Sequence, residues 1–412
     1  MTSTSRPGAE PILLAFSGGL DTSFCVPWLK ETYQRPVITV TVDTGGIDAA
    51  AAQSLAERSQ KLGAIEHHLI DARTPYFEQV LKYLLMGNVR RGGVYPLCVG
   101  AERVLQAQTI AQMALSLGTK MVAHGCTAAG NDQVRFEVAL RTLGPDLEIV
   151  APVRDRAFKR PEQLKYLEDH RLPIPPFGAA YSVNRGLWGV TIGGKETLTS
   201  EGSIPDDAWV LSKDAFSAPR APQRHVIGFN RGVPVSLDGS ARSAVAIIEE
   251  LEQLAGPFGI GRGIHLGDTV IGTKGRVAFE APAADVLLTA HRELEKLVLT
   301  GKQARIKDAV AQPYGDLVHE GQHLDPVCRD IEALLLSSQA RVSGDVRVLF
   351  RPGSIFVEGV ASPYSLMAAS KGVYGESAGE WTPTDALGYS KMLALTGVFY
   401  HRAGAHAAGA DT

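Results

Sequence analysis

The sequence predicts an α/β protein in which a doubly wound parallel sheet is followed by a second, α+β domain and a C-terminal helix. Three observations carry that expectation. Apolar runs of strand length alternate with segments of helical period from Ile12 to Pro152. The first such run stops on Ser17-Gly18-Gly19 and hands over to a helical segment. From about Arg171 the texture changes, with Pro173, Pro175 and Pro176 leading into "GLWGVTIGGKETLTS", where Gly and Thr are frequent and helical periods are short.

The elements follow in order. "ILLAF" (Ile12 to Phe16) is a strand, followed by a helix to about Tyr33 in which Pro27 removes a donor and is expected to kink the chain. "PVITVTVD" (Pro36 to Asp43) is the second strand, and "AAAAQSLAERSQKLG" is a helix ended by Gly63. "EHHLIDA" is strand-like. "TPYFEQVLKYLLMG" is expected to open with Thr74 as cap and Pro75 at the first helical position, and "AERVLQAQTIAQMALSLG" has helical period with a terminal Gly118. "KMVAHG", "NDQVRFEVALRTLG" and "LEIVAP" complete the alternation. Repeated β-α-β order implies a parallel sheet with ligands at the carboxyl ends of its strands.

In the second part, "SAVAIIEELEQLAG" and "DVLLTAHRELEKLVLT" read as helices and "GDVRVLFRPGSIFVEGV" as a hairpin around Pro352-Gly353-Ser354. Near the end, Leu387, Met392, Leu393, Leu395, Val398 and Phe399 make a dense apolar segment that wants a partner surface. The tail "HRAGAHAAGADT" is small and polar enough to fray, so His401 and His406 are read as part of a disordered end rather than as metal ligands.

Composition narrows the function. With 412 residues, 45% hydrophobic and 21% charged, the chain is in the globular range, and two or three domains are expected. A formal net charge of −3 gives no general pull toward nucleic acid or an anionic membrane, so any anion site must be local. "MTSTSRPGAEP" lacks a long apolar region and no membrane-length apolar run occurs, so neither signal peptide nor span is expected and a cytoplasmic location is. Cys25, Cys98, Cys126 and Cys328 form no C-x-x-C pair and read as small buried apolar residues.

Two motifs carry chemistry. A strand stopping at Ser17-Gly18-Gly19 before a helix points backbone N–H groups into one concavity at a positive helix end, which suits phosphate. Gly18 and Gly19 permit positive φ and close approach of a ligand, and Ser17, Thr22 and Ser23 can add hydroxyls. The plain alternative is a tight turn in which Asp21 or Thr22 caps the helix. The second motif, "AHGCTAAGNDQVRFE" (Ala123 to Glu137), offers Gly125 at a strand end, then Thr127, Asn131 and Asp132. Arg135, four residues after Asn131, is placed to face the same pocket. His124 reads equally as a proton shuttle or as a structural residue.

The run S-G-G-L-D-T-S (Ser17 to Ser23) resembles the pyrophosphate loop of the N-type ATP pyrophosphatases, and the second motif resembles the argininosuccinate synthase family, in a divergent bacterial branch. "VYPL" with Arg103 downstream, "IVAPVRD", "YSVNRGLWG", "IGTKGRVAFE", "LDPVCRDIEALLLSSQARVSGDV" and "PTDALGY" extend the resemblance over nearly the whole chain. It implies that citrulline attacks the α-phosphate of Mg2+-ATP, releasing pyrophosphate, and that aspartate then displaces AMP. It further implies a nucleotide-binding domain over residues 1–170, a synthetase domain over 171–380 and a C-terminal oligomerisation segment over 381–412, in a homotetramer. On that pattern Ala15, Phe16, Ser17, Gly18, Gly19, Leu20, Asp21, Thr22, Ser23 and Gly125 hold ATP, with Val42 beside the adenine. Thr127, Asn131 and Asp132 match aspartate contacts, and Tyr95, Asn131, Arg135, Ser182 and Thr191 match positions around citrulline, with Arg103 also in the substrate site. Asp21, Asn131, Asp132 and Arg135 are the catalytic set. Magnesium would be held mainly by phosphate and water, aided by Asp21, with no carboxylate cage.

The sequence departs from the family around the substrate pockets. Val99 and Gly100 replace hydroxyl residues, Gly267 an acidic one, Phe279 a tyrosine and Ala129 a loop lysine. Asp268, Glu102 and His265 are near enough in sequence to compensate. Two alternatives therefore stand beside the leading one: a ligase for another ureido compound, such as an N-acylated citrulline, and a non-catalytic ATP-binding paralogue.

Overall fold

The computed structural model describes residues 10–175, 180–370 and 379–410; the N-terminal stretch 1–9 and Pro176 lie outside the described residues. The first part alternates as the apolar pattern demands: β1 Ile12–Ala15, α1 Leu20–Tyr33, β2 Val37–Asp43, α2 Ala49–Lys61 and β3 Glu66–Asp71. After the short helices α3 Arg73–Tyr76 and α4 Lys82–Met86, joined by one π turn, come α5 Glu102–Leu117, β4 Met121–His124, α6 Asn131–Leu143, β5 Glu148–Val150, α7 Pro152–Asp155 and α8 Arg160–Asp169. The strands form one parallel sheet in the order β3-β2-β1-β4-β5. Its central strands are apolar on both faces. Leu13 packs with Val40 and Val122 under α5, whereas Ile12 and Leu14 point the other way against Phe24, Val26 and Leu29 of α1. Strand order reverses between β1 and β4, so the crevice at their carboxyl ends is the expected ligand position.

Two local expectations need correction here. Thr74 does not cap the following helix, which already starts at Arg73; Asp71 Oδ1 accepts from the Arg73 N–H at 3.0 Å and so serves that end from upstream. Cys25, Cys98 and Cys328 are buried, but Cys126, on a loop leaving the sheet, is only partly so. Helix α1 continues through the buried Pro27.

Beyond residue 180 the chain builds β6 Ser182–Gly186, β7 Gly189–Gly193, β8 Gln223–Asn230, β9 Val233–Leu237, β10 Ser240–Ala241, α9 Ala244–Ala255, β11 Arg262–Asp268 and β12 Lys274–Glu280. There follow α10 Pro282–Val298, α11 Gly301–Glu320, α12 Pro326–Ser338, β13 Gly344–Arg351 and β14 Ser354–Ala361. Two antiparallel sheets result, ordered β10-β9-β8-β13-β14 and β11-β12-β7-β6. The β13–β14 hairpin turns at Gly353, whose φ of +73° only glycine adopts without strain.

The chain divides after Ser362 into two compact units. The second contains α13 Leu366–Ala369 and α14 Pro383–Ala410. Helix α14 extends to Ala410, into the tail expected to fray, and residues 411–412 lie outside the described residues. Leu387, Met392, Leu393 and Phe399 are all exposed on it. Among the described residues no helix is long and apolar enough to cross a membrane.

Candidate active site

Parallel pairing sets Ala15 of β1 beside His124 of β4, so the loops that leave these strands emerge side by side. They border a cleft of about 1200 Å³. Of the residues expected to bind ligand, Ala15, Phe16, Ser17, Gly19, Leu20, Asp21, Thr22, Val42, Arg103, Gly125, Asp132 and Ser182 line it. Gly18, Ser23, Tyr95, Thr127, Asn131, Arg135 and Thr191 do not.

In the first loop only Gly18 has positive φ, +73°, and a Cβ there would stand 2.4 Å from Leu55 Cδ2. Its carbonyl accepts from Arg58 Nη1 at 2.5 Å, tying the loop to α2. Gly19 does not use the positive φ that glycine permits: it is the N-cap of α1, extended at φ −75° and ψ 176°, a conformation open to any residue. What it contributes is absence. It has no side chain to cap the helix, so the first N–H groups of α1 and its positive dipole end are left to the cleft. Neither Asp21 nor Thr22 caps; the Thr22 hydroxyl points back to the Gly19 carbonyl at 3.3 Å and lies 3.2 Å from Ser17 Oγ. Ser23 is fully buried with its hydroxyl toward the Gly18 carbonyl, so it braces the loop from behind. Gly125 brings the second loop close, since a Cβ there would meet Thr22 Cγ2 at 2.8 Å.

The second group is a chain of ion pairs. Arg103 donates through Nη1 to Glu102 Oε1 (2.8 Å) and Gln106 Oε1 (2.9 Å), and through Nε to Asp132 Oδ2 (2.9 Å). Arg135 donates to Asp132 Oδ1 at 2.8 Å, to the His319 carbonyl at 2.8 Å and to His319 Nδ1 at 3.2 Å. Burial alone would raise the Asp132 pKa, but the charges of Arg103 and Arg135 prevail and hold it at about 2. Burial, followed by the charges of Arg135 and Arg91, pushes His319 down to about 3, which leaves it a neutral acceptor for Arg135. His124 is buried; its Nδ1 accepts from the Cys126 N–H at 3.3 Å and its Nε2 is 3.8 Å from Glu137, the geometry of a residue that fixes the loop's start.

Asn131 and Arg135 do not converge as their spacing suggested. Asn131 Oδ1 accepts from the Val270 N–H at 2.9 Å, while Arg135 turns to His319. Thr127 is exposed on the loop. Tyr95 is buried, stacked on His265 and in contact with Phe279, which pairs across strands with Thr191. The departures interlock with these side chains. At Gly100 a Cβ would stand 2.9 Å from Arg135 Nη2, and at Gly267 one would stand 2.5 Å from His265 Nε2 and 3.2 Å from Arg91 Nη1. Arginine and histidine thus fill the space of the absent side chains. Of the three compensating candidates, Asp268 pairs with Lys274, His265 lies beside Gly267, and Glu102 is on the cleft wall. Arg58, Arg91 and His319 were not anticipated, and no local motif marks them. Among the described residues no cluster of three or more His, Cys, Asp or Glu is placed to hold a metal ion.

A glycine loop that feeds an uncapped helix at the switch point of a five-stranded parallel sheet defines a nucleotide-binding enzyme domain. Residues 11–173 match the family model described as the arginosuccinate synthase N-terminal HUP domain, and residues 181–400 that of the arginosuccinate synthase C-terminal domain. Similar proteins include the argininosuccinate synthases of Xanthomonas campestris pv. campestris, 40% identical over 95% of this chain and 98% of the relative, and of Pyrobaculum aerophilum, 39% identical over 94% and 97%. That of Methanocaldococcus jannaschii is 36% identical over 86% and 89%. The chain belongs to the argininosuccinate synthase family, ATP-dependent ligases of arginine biosynthesis that use ATP as co-substrate. Argininosuccinate synthesis is the activity this membership supports.

Proposed function

We propose that the chain joins citrulline to aspartate in two steps within the cleft. The ureido oxygen attacks the α-phosphate of ATP and pyrophosphate leaves; the aspartate nitrogen then attacks the activated carbon and AMP leaves with the oxygen. The uncapped N-terminus of α1, framed by Ser17, Gly19 and Thr22, carries this reading, because it supplies fixed donors where phosphate charge changes. Ala15 to Thr22 and Gly125 would hold ATP, with Val42 beside the adenine and Ser23 bracing. Bound magnesium would neutralise phosphate charge, and Asp21, which lines the cleft, is the residue placed to assist it. Thr127, Asn131, Asp132 and Arg103 are assigned to aspartate, and Tyr95, Asn131, Arg135, Ser182 and Thr191 to citrulline. A nucleotide-binding domain over 1–170, a synthetase domain over 171–380, a C-terminal segment from 381 and a cytoplasmic location belong to the same proposal. The test is AMP and pyrophosphate release that requires both amino acids; well-folded protein without it would refute the reading. Arg135→Ala should raise the KM for the ureido substrate about tenfold, because Arg135 is assigned to its carboxylate. A defect confined to ATP would reassign Arg135.

Arg91 and His265 at Gly267 favour a second reading, in which the ureido acid carries an amide in place of a free ammonium. A panel of citrulline and its N-acyl derivatives separates the two.

Exposed Leu387, Met392, Leu393 and Phe399 support a homotetramer whose α14 docks on another subunit. Deleting residues from Asp385 onward should yield smaller species in light scattering; a truncated tetramer would refute the exchange.

A further inference from the structure

One carboxylate on the cleft wall has no part in the roles above. Glu102, the first residue of α5, is 2% exposed; its Oε2 accepts from Thr44 Oγ1 at 2.6 Å and its Oε1 from Arg103 Nη1 at 2.8 Å. Each oxygen retains a second lone pair. Gly186 of β6 makes room for the carboxylate itself, since a Cβ there would stand 2.5 Å from Oε2. Arg103 pairs with both Glu102 and Asp132, so an amino acid bound at Asp132 would lie one arginine side chain away from Glu102.

We propose that Glu102 is the general base that takes a proton from the ammonium group of the amino-acid nucleophile before it attacks the activated ureido carbon. This rests on the assignment of Asp132 and Arg103 to that nucleophile. The step balances. Glu102 gains one proton, the freed nitrogen lone pair forms the C–N bond, and the C–O bond breaks with its electrons leaving on AMP. Protonated Glu102 then returns the proton to solvent. The surroundings suit the task. Burial pushes the Glu102 pKa up to about 7 despite Arg103 and the Thr44 hydroxyl, with Asp132 and Asp43 raising it further. The groups facing it are Asp43 at the end of β2 and Thr44 just after it, Tyr76 of α3, Cys98 in the turn before α5, Arg103 and Gln106 of α5 and Asp132 of α6. The base works deprotonated, so ligation should rise as pH climbs through about 7.

The experiment compares full-length wild type, Glu102→Gln and Thr44→Val across pH with two readouts: single-turnover pyrophosphate release with ATP and citrulline alone, and argininosuccinate formation after aspartate is added. Glu102→Gln should keep the first, lose the second by about a hundredfold in kcat, and lose the pH step. Thr44→Val, which removes a donor to the charged carboxylate, should move the step to higher pH. A step that survives in Glu102→Gln, an effect confined to the KM for aspartate, an equal loss of both readouts, or a step unmoved in Thr44→Val would overturn the proposal. Wild type without the first readout would overturn the reading on which it rests.

Discussion

Helices α1 and α2 both follow a strand of the parallel sheet and both begin beside the cleft, yet their first turns are finished differently. Asp48 caps α2, accepting from the Ala51 N–H at 2.8 Å, whereas Gly19 gives α1 no side-chain cap. One helix end is satisfied by its own sequence and the other waits for an anion. Helix α6 is intermediate: its cap, Gly130, is also bare, but Asp132 in its first turn brings a negative charge, itself claimed by Arg103 and Arg135. The difference teaches where a ligand belongs, because a fold that leaves donors unpaired at the switch point of its sheet has left them for something else.

Gly19→Val attacks the contrast most directly. The nearest atom to a Cβ there is Ser17 Oγ at 3.6 Å and the backbone is extended, so the side chain fits the protein but occupies phosphate space. Adenylation should fall at least a hundredfold, roughly the loss of one or more oxyanion donors, with no more than about 1 kcal/mol of stability lost, because valine is a poorer N-cap than glycine. Asp48→Ala, at the other helix, should do the opposite: about 1 kcal/mol of stability lost in denaturant titration, with kcat kept. Asp132→Asn probes the intermediate case. The depressed pKa of Asp132 contributes stability that is present above about pH 4 and lost as pH falls toward about 2. Because 37% of its side chain is exposed, solvent screening limits this to under about 1 kcal/mol, read as a flatter acid limb in the asparagine variant. Smallest in stability is Gly19→Asp, which gives α1 the cap that α2 has. It should stabilise the free protein by about a few tenths of a kcal/mol in the same titration while abolishing adenylation.

The same contrast explains what the sequence could reveal. The first loop is backbone chemistry, set by Ser17 to Gly19 and by the strand and helix on either side, so it was legible as a motif before any contact was known. Even there, the sequence does not tell which of the two glycines is left-handed, because a glycine's need for space and its need for conformation look alike in a sequence. The ion-pair chain was not legible. Arg103 meets Asp132 across 29 residues and Arg135 meets His319 across 184, distances at which no spacing rule operates. Helical spacing did place Asn131 and Arg135 on one face, but Val270 and His319 then drew them to different partners. In the tail, nearness to the chain end favours fraying while alanine favours helix, and α14 is assigned as far as Ala410.

Gly186 and Glu102 have an evolutionary consequence. Because a methyl group at 186 would collide with the carboxylate at 102, neither position can change alone without cost. Lineages carrying a glutamate at 102 should keep glycine at 186, and lineages with any larger residue at 186 should carry something shorter at 102. The two sites, 84 positions apart in the chain, would then be inherited as one character.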